Sequence, residues 1–372
     1  MPMCHHLQFV QSLEPLSGGG LGAAALQLHN AMRAEALDSR LFATCSSTFK
    51  LESSATQQFP RSGPAKFFYA PGLAAAAQET VRDERLWIIH GHGFYVYPNY
   101  VFGRLARKFD LPLVYHVHGF FEPWILARSK LKKRLAHWLF EDANFRAVAL
   151  WRALTVKEAE QIRNIVGSTA SIVVAPNGVE LAPFEAIPRP NVREKHVALF
   201  VGRLHPKKGL DLLFDAWGRL GAVRKDWELI IAGPDEGGYE AVAKRMASEL
   251  DGGVRFIGVV TGSAKYELLI QADLFILTSY SEGLPMAVIE AMAARVPVVV
   301  THECNLPEVA EAEAGWLCRA ERDDVRRALL EALSAGDIER RQRGEKGRKL
   351  VESTFTWKKT VAILRESCEK LL

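Results

Sequence analysis

Cysteine is scarce in this chain of 372 residues, and its few positions form no pattern. The cysteines are odd in number and far apart, at Cys4, Cys45, Cys304, Cys318 and Cys368. Disulfide-stapled domains, zinc fingers and redox motifs require regular cysteine spacings that are missing here. The sequence therefore predicts reduced thiols, as in a cytoplasmic protein.

Long apolar runs are also missing. The longest, such as the valines at 298–300, fall far short of the ~18 residues that span a bilayer. The amino terminus has neither a basic segment nor a continuous apolar stretch, so it does not resemble a signal peptide. The net charge of +4 at pH 7 is too small to indicate a nucleic-acid partner.

Length and hydrophobic patterning predict two α/β domains. A chain of 372 residues, 48% of them hydrophobic, exceeds what one core usually supports. Strand-like and helix-like segments alternate through both halves, which is typical of parallel sheets covered by helices. The expected strands lie near 5–12, 39–44, 66–70, 86–90, 112–117, 149–155 and 171–175, then 196–201, 227–232, 254–257, 273–277 and 297–301. The expected helices include 20–36, 98–109, 128–143 and 156–166, and helices at 338–352 and 356–371 close the chain.

A proline-punctuated, aperiodic stretch separates the two halves. Pro188, Arg189 and Pro190 interrupt any helical or strand periodicity there. We therefore expect a first domain at 1–183, a linker at 184–195, a second domain at 196–354 and a terminal helix at 355–372.

Two carboxylates bracket a predicted loop–helix junction in the second half. The segment 273–277 predicts a buried strand, a loop follows to Gly283, and Pro285 suits the first turn of a helix. Glu282 lies in this loop, and Glu290 lies about one and a half turns into the helix. Because open α/β sheets bind ligands at the carboxyl ends of their strands, both acids are expected to hold a polyhydroxylated ligand. The alternatives are a helix cap and a solvated surface charge.

Two cations occupy a second loop of the same kind. Arg203 follows the predicted strand at 197–201, and Lys208 precedes the helical pattern at 210–217. Two fixed cations beside a helix amino terminus suit a diphosphate. The alternative is a basic surface loop that makes ordinary salt bridges.

These motifs carry a family resemblance. Gly-Arg-x4-Lys-Gly at 202–209, followed by Glu-Gly-Leu-Pro-x4-Glu at 282–290, resembles the retaining glycosyltransferases of family 4, which have the GT-B fold. The resemblance extends along nearly the whole chain, through the glycine loop at 17–20, the strand ending in a histidine at 112–120, the segment at 176–179 and the entry to the terminal helix at 354–357.

The resemblance implies two Rossmann-like domains facing a central cleft, with the terminal helix crossing back to the first, acceptor-side domain. The nucleotide sugar would lie mainly on the second domain. One carboxylate would hold the ribose hydroxyls (Glu290), the other and two backbone groups would meet the sugar hydroxyls (Glu282, Gly283, Leu284), and the cations would clamp the diphosphate (Arg203, Lys208).

The first domain would contribute three residues by the same resemblance. Gly19 and Gly20 belong to the glycine loop, and Gly20 would permit a close backbone approach that a side chain would block. His118 would sit beside the sugar ring and the acceptor. Its alternative role is that of a satisfied strand-end histidine.

The implied chemistry needs no cofactor and no metal. Breaking the anomeric bond leaves a nucleoside diphosphate, whose developing charge can be stabilised by fixed cations and helix N–H groups. The sequence contains no Asp-x-Asp, the pattern of the metal-dependent glycosyltransferases of the other main fold. By resemblance, transfer retains the anomeric configuration, and a donor phosphate oxygen takes the acceptor proton. The acceptor would be a hydroxyl of a saccharide or of a lipid-linked molecule, in polysaccharide or glycoconjugate assembly.

Other functions stay open from the sequence. A GT-B epimerase or phosphorylase would run a different reaction, and a silent scaffold would bind nucleotide without turnover. The glycines at 18–22 fit the dinucleotide pattern G-x-G-x-x-A, but residues 14–17 separate them from the strand, which disfavours an oxidoreductase. The His-x-His pairs at 90–92 and 116–118 share strand faces, yet zinc would need further ligands.

One predicted helix mixes cations with apolar residues. Within 128–140, Leu131, Leu135, Trp138 and Leu139 recur at helical spacing among lysines and arginines. The favoured interpretation is an amphipathic helix whose apolar stripe packs on the sheet. The alternative is an interfacial helix that touches anionic lipid, which would suit a lipid-linked acceptor and an enzyme at the inner face of the plasma membrane.

Overall fold

The structure, a computed structural model, describes residues 4–46, 49, 55–63, 67–83, 85–122, 125–126, 130–187 and 194–372. These residues form two compact units. The first runs to Asn177 and includes Trp357–Leu372, and the second is Gly178–Thr356. Each unit is built on one parallel sheet covered by helices, which confirms the expected α/β class.

The sheet of the first unit has seven strands in the order β3-β2-β1-β4-β5-β6-β7. The order reverses between β1 and β4, and ligands of such sheets bind beside the carboxyl ends of the strands at that point. The strands are β1 (His5–Ser12), β2 (Asp38–Cys45), β3 (Thr56–Pro60), β4 (Trp87–His92), β5 (Leu113–His116), β6 (Val148–Ala153) and β7 (Ile172–Val174). The helices are α1 (Pro15–Ala34), α2 (Pro71–Thr80), α3 (Tyr97–Phe109), α4 (Lys130–Ala136), a π-helical turn (His137–Glu141), α5 (Asp142–Ala147) and α6 (Val156–Val166).

The sheet of the second unit has six strands in the order β10-β9-β8-β11-β12-β13, and its order reverses between β8 and β11. The strands are β8 (His196–Val201), β9 (Trp227–Ala232), β10 (Val254–Gly258), β11 (Leu274–Leu277), β12 (Val298–Thr301) and β13 (Gly315–Cys318). The helices are α7 (Ala182–Glu185), α8 (Leu210–Gly218), α9 (Tyr239–Ser248), α10 (Gly262–Gln271), α11 (Met286–Ala293), α12 (Glu308–Glu311), α13 (Arg322–Ser334) and α14 (Asp337–Thr354), with 3₁₀ turns at Pro206–Lys208, Gly221–Arg224 and His302–Cys304.

The terminal helix α15 (Trp357–Glu369) belongs to the first unit, as the resemblance implies. Trp357, Val361 and Leu364 form one buried cluster with Leu28 and Met32 of α1. Burying apolar faces on each other is the main source of helix stability in proteins, so this cluster explains why the end of the chain lies on the first sheet.

The second unit begins earlier than the linker expected at 184–195. Its first residue is Gly178, and Arg348 of α14 lies with Nη2 2.7 Å from the Glu185 carboxylate. The Val179 N–H donates to the Phe355 carbonyl at 2.9 Å. These contacts attach residues 178–187 to the second unit, whereas 188–193 lie outside the described residues.

One strand expectation fails in the structure, and two observed strands were not predicted. Residues 67–70 form a turn instead of the strand near 66–70, because Phe68 has a left-handed φ of 56° that a strand does not accept. The edge strand lies earlier, at β3, where only Phe59 is buried and little apolar pattern marks it. The sequence interpretation also omits β13, a short strand on the opposite edge of the second sheet.

The apolar stripe predicted within 128–140, of which residues 128 and 129 lie outside the described residues, does not pack on the sheet, contrary to the favoured interpretation. Leu131, Leu135, Trp138 and Leu139 are 81%, 56%, 78% and 58% exposed. The packed face instead carries Ala136, Phe140 and the polar Glu141. The buried Glu141 carboxylate accepts the Tyr95 N–H at 2.7 Å and the Tyr115 hydroxyl at 3.0 Å. These bonds fix the rotation of the segment, so its leucines and Trp138 face outward.

Among the helices that the structure describes, none is both long and apolar enough to cross a membrane.

Candidate functional site

Two neighbouring loops form the candidate site of the second unit. Because β8 and β11 are adjacent parallel strands, the loops at 202–209 and 278–285 leave the same edge of the sheet. Gly209 has a φ of 66°, and a Cβ there would lie only 1.9 Å from the Thr278 carbonyl oxygen. The Thr278 hydroxyl donates to the Gly209 carbonyl at 2.8 Å. The glycine of the Lys-Gly motif therefore allows the two loops to touch.

Lys208 and Glu282 form an ion pair across these loops. The Lys208 ammonium nitrogen lies 2.6 Å from Oε1 of Glu282, and the two side chains are only 14% and 11% exposed. The Ser279 hydroxyl donates to the same carboxylate oxygen, and the Asn305 amide donates to the Glu282 carbonyl. Glu282 and Lys208 thus hold each other in place. The sequence analysis assigns the first to the sugar and the second to the diphosphate.

Arg203 stands two residues beyond β8 and is much freer. Its Nη1 lies 2.6 Å from Oε2 of Glu236, but the side chains are 59% and 42% exposed. Exposed ion pairs of this kind contribute about 0–1 kcal/mol, so Arg203 can exchange Glu236 for another anion at small cost. A diphosphate would offer the guanidinium a bidentate geometry that favours the exchange.

Glu290 lies on α11 and is also paired. Its Oε1 is 2.6 Å from the ammonium of Lys265, with side chains 17% and 24% exposed. The helix begins at Met286, and Pro285 is its amino-terminal cap instead of a residue of its first turn. Gly283 and Leu284 precede this cap, so their backbone lies beside the unpaired N–H groups with which every helix begins.

Sequence reasoning missed most partners of the site. Glu236, Lys265, Ser279 and Asn305 each contact one of the motif residues. No motif marks them, because Glu236, Lys265 and Asn305 come from other loops and helices and Ser279 precedes the motif in its own loop. The position of Ser279, directly after Thr278 at the end of β11, was the one available signal.

The glycine loop of the first unit is a break inside α1. Gly19 has φ 52° and ψ −144°, which interrupts the helix that begins at Pro15 and continues beyond this residue. A Cβ at Gly19 or Gly20 would meet open space, whereas one at Gly18 would lie 2.2 Å from the Ser12 carbonyl oxygen. Gly18 therefore serves packing, and Gly19 and Gly20 leave an uncovered stretch of backbone.

His118 follows β5 in a strained, hydrogen-bonded position. Its φ is 52°, in the left-handed region that non-glycine residues rarely adopt. The Gly119 N–H donates to the Glu158 carboxylate, which holds the turn. One ring nitrogen of His118 lies 2.9 Å from His92. Burial, with a smaller contribution from Arg152, lowers the pKa of His118 to about 3, so the ring is neutral at physiological pH.

A buried array of polar side chains adjoins His118 through His92 and His116, and the sequence interpretation missed it as a unit. It consists of His6 and Gln8 of β1, His90 and His92 of β4, His116 of β5 and Arg152 of β6, all at most 1% exposed. Among the described residues, two groups have donor atoms within 4.8 Å of one another, His6/His90/Cys368 and His92/His116/His118. The alternate spacing at 90–92 and 116–118 was the visible signal for this array.

Comparison with known proteins accounts for both units. The family model described as "Glycosyl transferases group 1" matches residues 184–350. The model described as "Glycosyl transferase 4-like domain" matches residues 19–178.

Curated relatives agree with these families. A GDP-mannose-dependent monoacylated alpha-(1-6)-phosphatidylinositol monomannoside mannosyltransferase of Corynebacterium glutamicum is 31% identical over 162 residues. That match spans only 42% of this chain and 42% of the relative. The glycogen synthase of Mycobacterium tuberculosis is 26% identical over 300 residues, 78% of this chain and 70% of the relative.

Solved structures share the fold over the full length. Sucrose-phosphate synthase from Thermosynechococcus elongatus superposes with a TM-score of 0.76 and 17% identity, covering 99% of both chains. Anabaena Alr3699/HepE, solved in complex with UDP, gives a TM-score of 0.76 and 19% identity over 99% of both chains. The two units are therefore the two Rossmann-like domains of a GT-B fold.

Proposed function

Because the chain belongs to the group 1 glycosyltransferases, we propose that it transfers a sugar from a nucleotide-diphosphate sugar to a hydroxyl, with retention and without a metal. The acceptor is a saccharide or a lipid-linked molecule, and the enzyme works in polysaccharide or glycoconjugate assembly. It is a cytoplasmic enzyme.

The observation that carries this proposal is the arrangement of charge on the loops after β8 and β11. The Lys208 ammonium is held in place by Glu282 at 2.6 Å, whereas Arg203 is exposed and weakly held by Glu236. A diphosphate placed here would meet one preorganised cation and one adaptable one. Preorganised cations are worth most where charge develops during the reaction, which is on the departing nucleoside diphosphate.

The donor set around the site favours metal independence. Magnesium and manganese prefer oxygen ligands, chiefly carboxylates. Glu282 and Glu290 are each paired with a lysine at 2.6 Å. Among the described residues, the groups with metal-ligand spacing consist of histidine and cysteine, not carboxylates. The positive charge that a divalent ion supplies in other enzymes would come here from Arg203, Lys208 and helix N–H groups.

Names of similar proteins support the donor and acceptor classes. HepE was solved with UDP and with UDP and glucose, and the name of the Corynebacterium relative contains GDP-mannose and a monoacylated phosphatidylinositol monomannoside. We therefore extend to this chain a nucleoside diphosphate sugar as the donor and a saccharide or lipid-linked molecule as the acceptor.

A screen of UDP-, GDP- and ADP-sugars against saccharide and lipid-linked acceptors tests the proposal. The transfer product should keep the anomeric configuration of the donor in its NMR spectrum, and turnover should survive EDTA. Inverted product, or activity lost to EDTA and restored by magnesium or manganese, would contradict it. Release of free sugar or an epimer without an acceptor would instead indicate the epimerase alternative. Nucleotide binding without any turnover would indicate a scaffold.

The exposed stripe supports peripheral contact with an anionic membrane as part of this function. Leu131, Leu135, Trp138 and Leu139 face outward, and the exposed Lys132 and Arg134 flank them. Apolar side chains with tryptophan beside cations are typical of helices that lie in the lipid headgroup region. Each cation near an anionic surface adds about 1 kcal/mol of attraction. Such contact would bring the enzyme to a lipid-linked acceptor.

A further inference from the structure

A chain of hydrogen bonds leads from His118 into the core of the first unit. One nitrogen of His118, Nε2, lies 2.9 Å from Nδ1 of His92, and Nε2 of His92 lies 3.1 Å from Oε1 of Gln8. The amide nitrogen of Gln8 then lies 2.8 Å from the Ser39 hydroxyl and 3.3 Å from the Met32 sulfur. His92, Gln8 and Ser39 are at most 1% exposed, so water does not compete for these bonds.

The chemistry of Met32 determines which group donates in each of these hydrogen bonds. A thioether sulfur accepts hydrogen bonds and never donates them, so the amide group of Gln8 that faces it must be the N–H₂. The Gln8 oxygen therefore faces His92 and accepts the Nε2–H of that ring. A neutral His92 then has only a lone pair on Nδ1, so His118 must donate its own Nε2–H to it.

His92 is neutral in the folded protein. Burial lowers the pKa of His92 well below its ordinary value, and nearby His118, His90 and Arg152 act in the same direction. A doubly protonated His92 would carry a proton on Nδ1 and would reverse the bond to His118. The buried surroundings therefore support the tautomers that the hydrogen-bond geometry requires.

A second chain runs beside the first and has its own anchor. Arg152 can only donate, and its Nη1 lies 3.3 Å from Nδ1 of His116. His116 therefore donates its Nε2–H to Nδ1 of His90 at 3.0 Å, and His90 donates to Nδ1 of His6 at 2.9 Å. His6 Nε2 ends the chain 3.5 Å from the Cys4 sulfur.

This second chain disfavours a metal at His6, His90 and Cys368. Their donor atoms are close enough together for a metal, but Nδ1 of His6 and Nε2 of His90 are engaged with each other at 2.9 Å. Coordination of a metal through Nε2 of His6 would move the ring proton to Nδ1. Each hydrogen bond from His6 through His90 to His116 would then reverse its direction. Two N–H donors, on His116 and Arg152, would then face each other.

We propose that Gln8 and His92 are positioning residues that hold His118 as its Nε2–H tautomer, so that Nδ1 offers a lone pair to a hydroxyl of the bound sugar or acceptor. The role toward substrate rests on the proposed function, whereas the tautomer does not. A neutral imidazole in the other tautomer would present an N–H donor instead, and a hydroxyl held by it would point its proton elsewhere. Holding the tautomer thus sets which hydrogen bonds the site can make.

The test compares two substitutions on the same strand and the same face of β1. Gln8→Leu removes the acceptor that orients His92. His6→Leu is the matched control, because it is equally buried and equally changed in polarity but belongs to the second chain. Long-range ¹⁵N–¹H correlation spectra of histidine-labelled protein report each ring's tautomer without any need for activity. Gln8→Glu is the conservative variant, since burial favours the neutral form of its carboxyl group, whose carbonyl oxygen can accept from His92.

In the unsubstituted protein, His92 and His118 should both show the Nε2–H tautomer. In Gln8→Leu, that signature should be lost at His118, and kcat should fall about 10- to 100-fold with the nucleotide KM nearly unchanged. Gln8→Glu should restore most of kcat, and His6→Leu should keep both the tautomer and kcat.

An Nδ1–H signal for His118 in the unsubstituted protein would overturn the proposal even if Gln8→Leu did not fold. Equal losses of kcat in His6→Leu and Gln8→Leu would reduce Gln8 to a structural role. If the tautomers are as expected but no acceptor is ever glycosylated, the proposed function fails and the positioning chain stands.

Discussion

The ammonium of Lys208 lies 2.6 Å from the carboxylate of Glu282, and each side chain is almost covered. The two residues are 74 positions apart in the chain. Their pairing means that a diphosphate cannot occupy Lys208 without also meeting the negative charge of Glu282. A diphosphate bound here, as proposed, would therefore depend on Arg203 and helix N–H groups in addition to a pair that carries no net charge.

The first prediction concerns Arg203. Arg203→Ala should lower kcat by ~10²–10³, because a cation that contacts the leaving diphosphate acts more strongly in the transition state than in the bound donor. Arg203→Lys should restore only part of this, since an ammonium cannot form a bidentate contact with phosphate. The control is Arg255→Ala, which removes another exposed arginine from an ion pair in the same unit, with Glu228. Full turnover in a folded Arg203→Ala protein would show that Arg203 does not stabilise the leaving diphosphate.

The second prediction concerns the pair itself. Glu282→Gln removes the negative charge beside Lys208, so nucleoside diphosphate should bind at least as tightly while kcat falls. Lys208→Met should weaken the same binding, because it leaves Glu282 facing the phosphates. In a double-mutant cycle, the two effects should be strongly non-additive, as expected for residues in direct contact. Calorimetric titration with UDP, GDP and ADP measures the binding, and additive changes would show that the pair does not act as one unit.

The third prediction separates the two members of the Lys265–Glu290 pair. Glu290→Gln should weaken nucleotide binding with little further effect on kcat, since ribose contacts are alike in the ground and transition states. Lys265→Met breaks the same 2.6 Å ion pair but keeps the carboxylate, so nucleotide affinity should change much less. Equal losses of affinity in the two variants would assign the effect to the ion pair instead of a ribose contact.

The fourth prediction is a loss of stability in mild acid. Burial is the main cause that lowers the pKa of five histidines, to about 4 for His6, to about 3 for His118, and well below the ordinary value for His90, His92 and His116. Their stabilising contribution is complete above the unfolded pKa of about 6.5 and is lost as pH falls toward the folded values, because only the unfolded chain takes up protons.

When the pH is lowered from 7 to 5.5, each of these histidines should reduce the free energy of unfolding by roughly 1 kcal/mol. Glu141 and Glu158 act in the opposite direction, since burial raises the pKa of both carboxyl groups, but they are outnumbered. Urea unfolding at several pH values measures how steeply the free energy of unfolding depends on pH. The substitution His90→Gln should make this dependence less steep. A free energy of unfolding that stays constant between pH 7 and 5.5 would contradict the buried, neutral array.

The fifth prediction concerns the exposed stripe. The protein should float with vesicles that contain phosphatidylglycerol and much less with pure phosphatidylcholine, and salt should weaken the binding. Leu135→Ser with Trp138→Ser should abolish flotation, because it removes the apolar contact. The control is Ile338→Ser, which changes an apolar residue on the second unit that is 75% exposed. Flotation that is insensitive to the stripe substitutions would place any lipid contact elsewhere.

Much of the architecture could be predicted because it depends on local pattern. The apolar runs of β8 and β11 and the helix after Pro285 are recognisable within a few residues, and the strand order of a parallel sheet places their loops at one edge. The edge strand β3 escaped prediction because only Phe59 carries an apolar signal there. The 66–70 expectation failed because aromatic composition does not reveal the left-handed φ of Phe68.

The sequence by itself determined the two α/β domains, the family and the identity of the motif residues, because each depends on patterns within short contiguous segments. Only the tertiary structure decided which charges meet, which tautomers a buried chain of histidines can adopt and which face of the 130–141 segment is covered. Lys208 pairs with Glu282, His92 is oriented by Gln8 on another strand, and Glu141 turns Trp138 outward. Each of these depends on contacts between distant parts of the chain, and hydrophobic periodicity specifies a face without specifying what that face will meet.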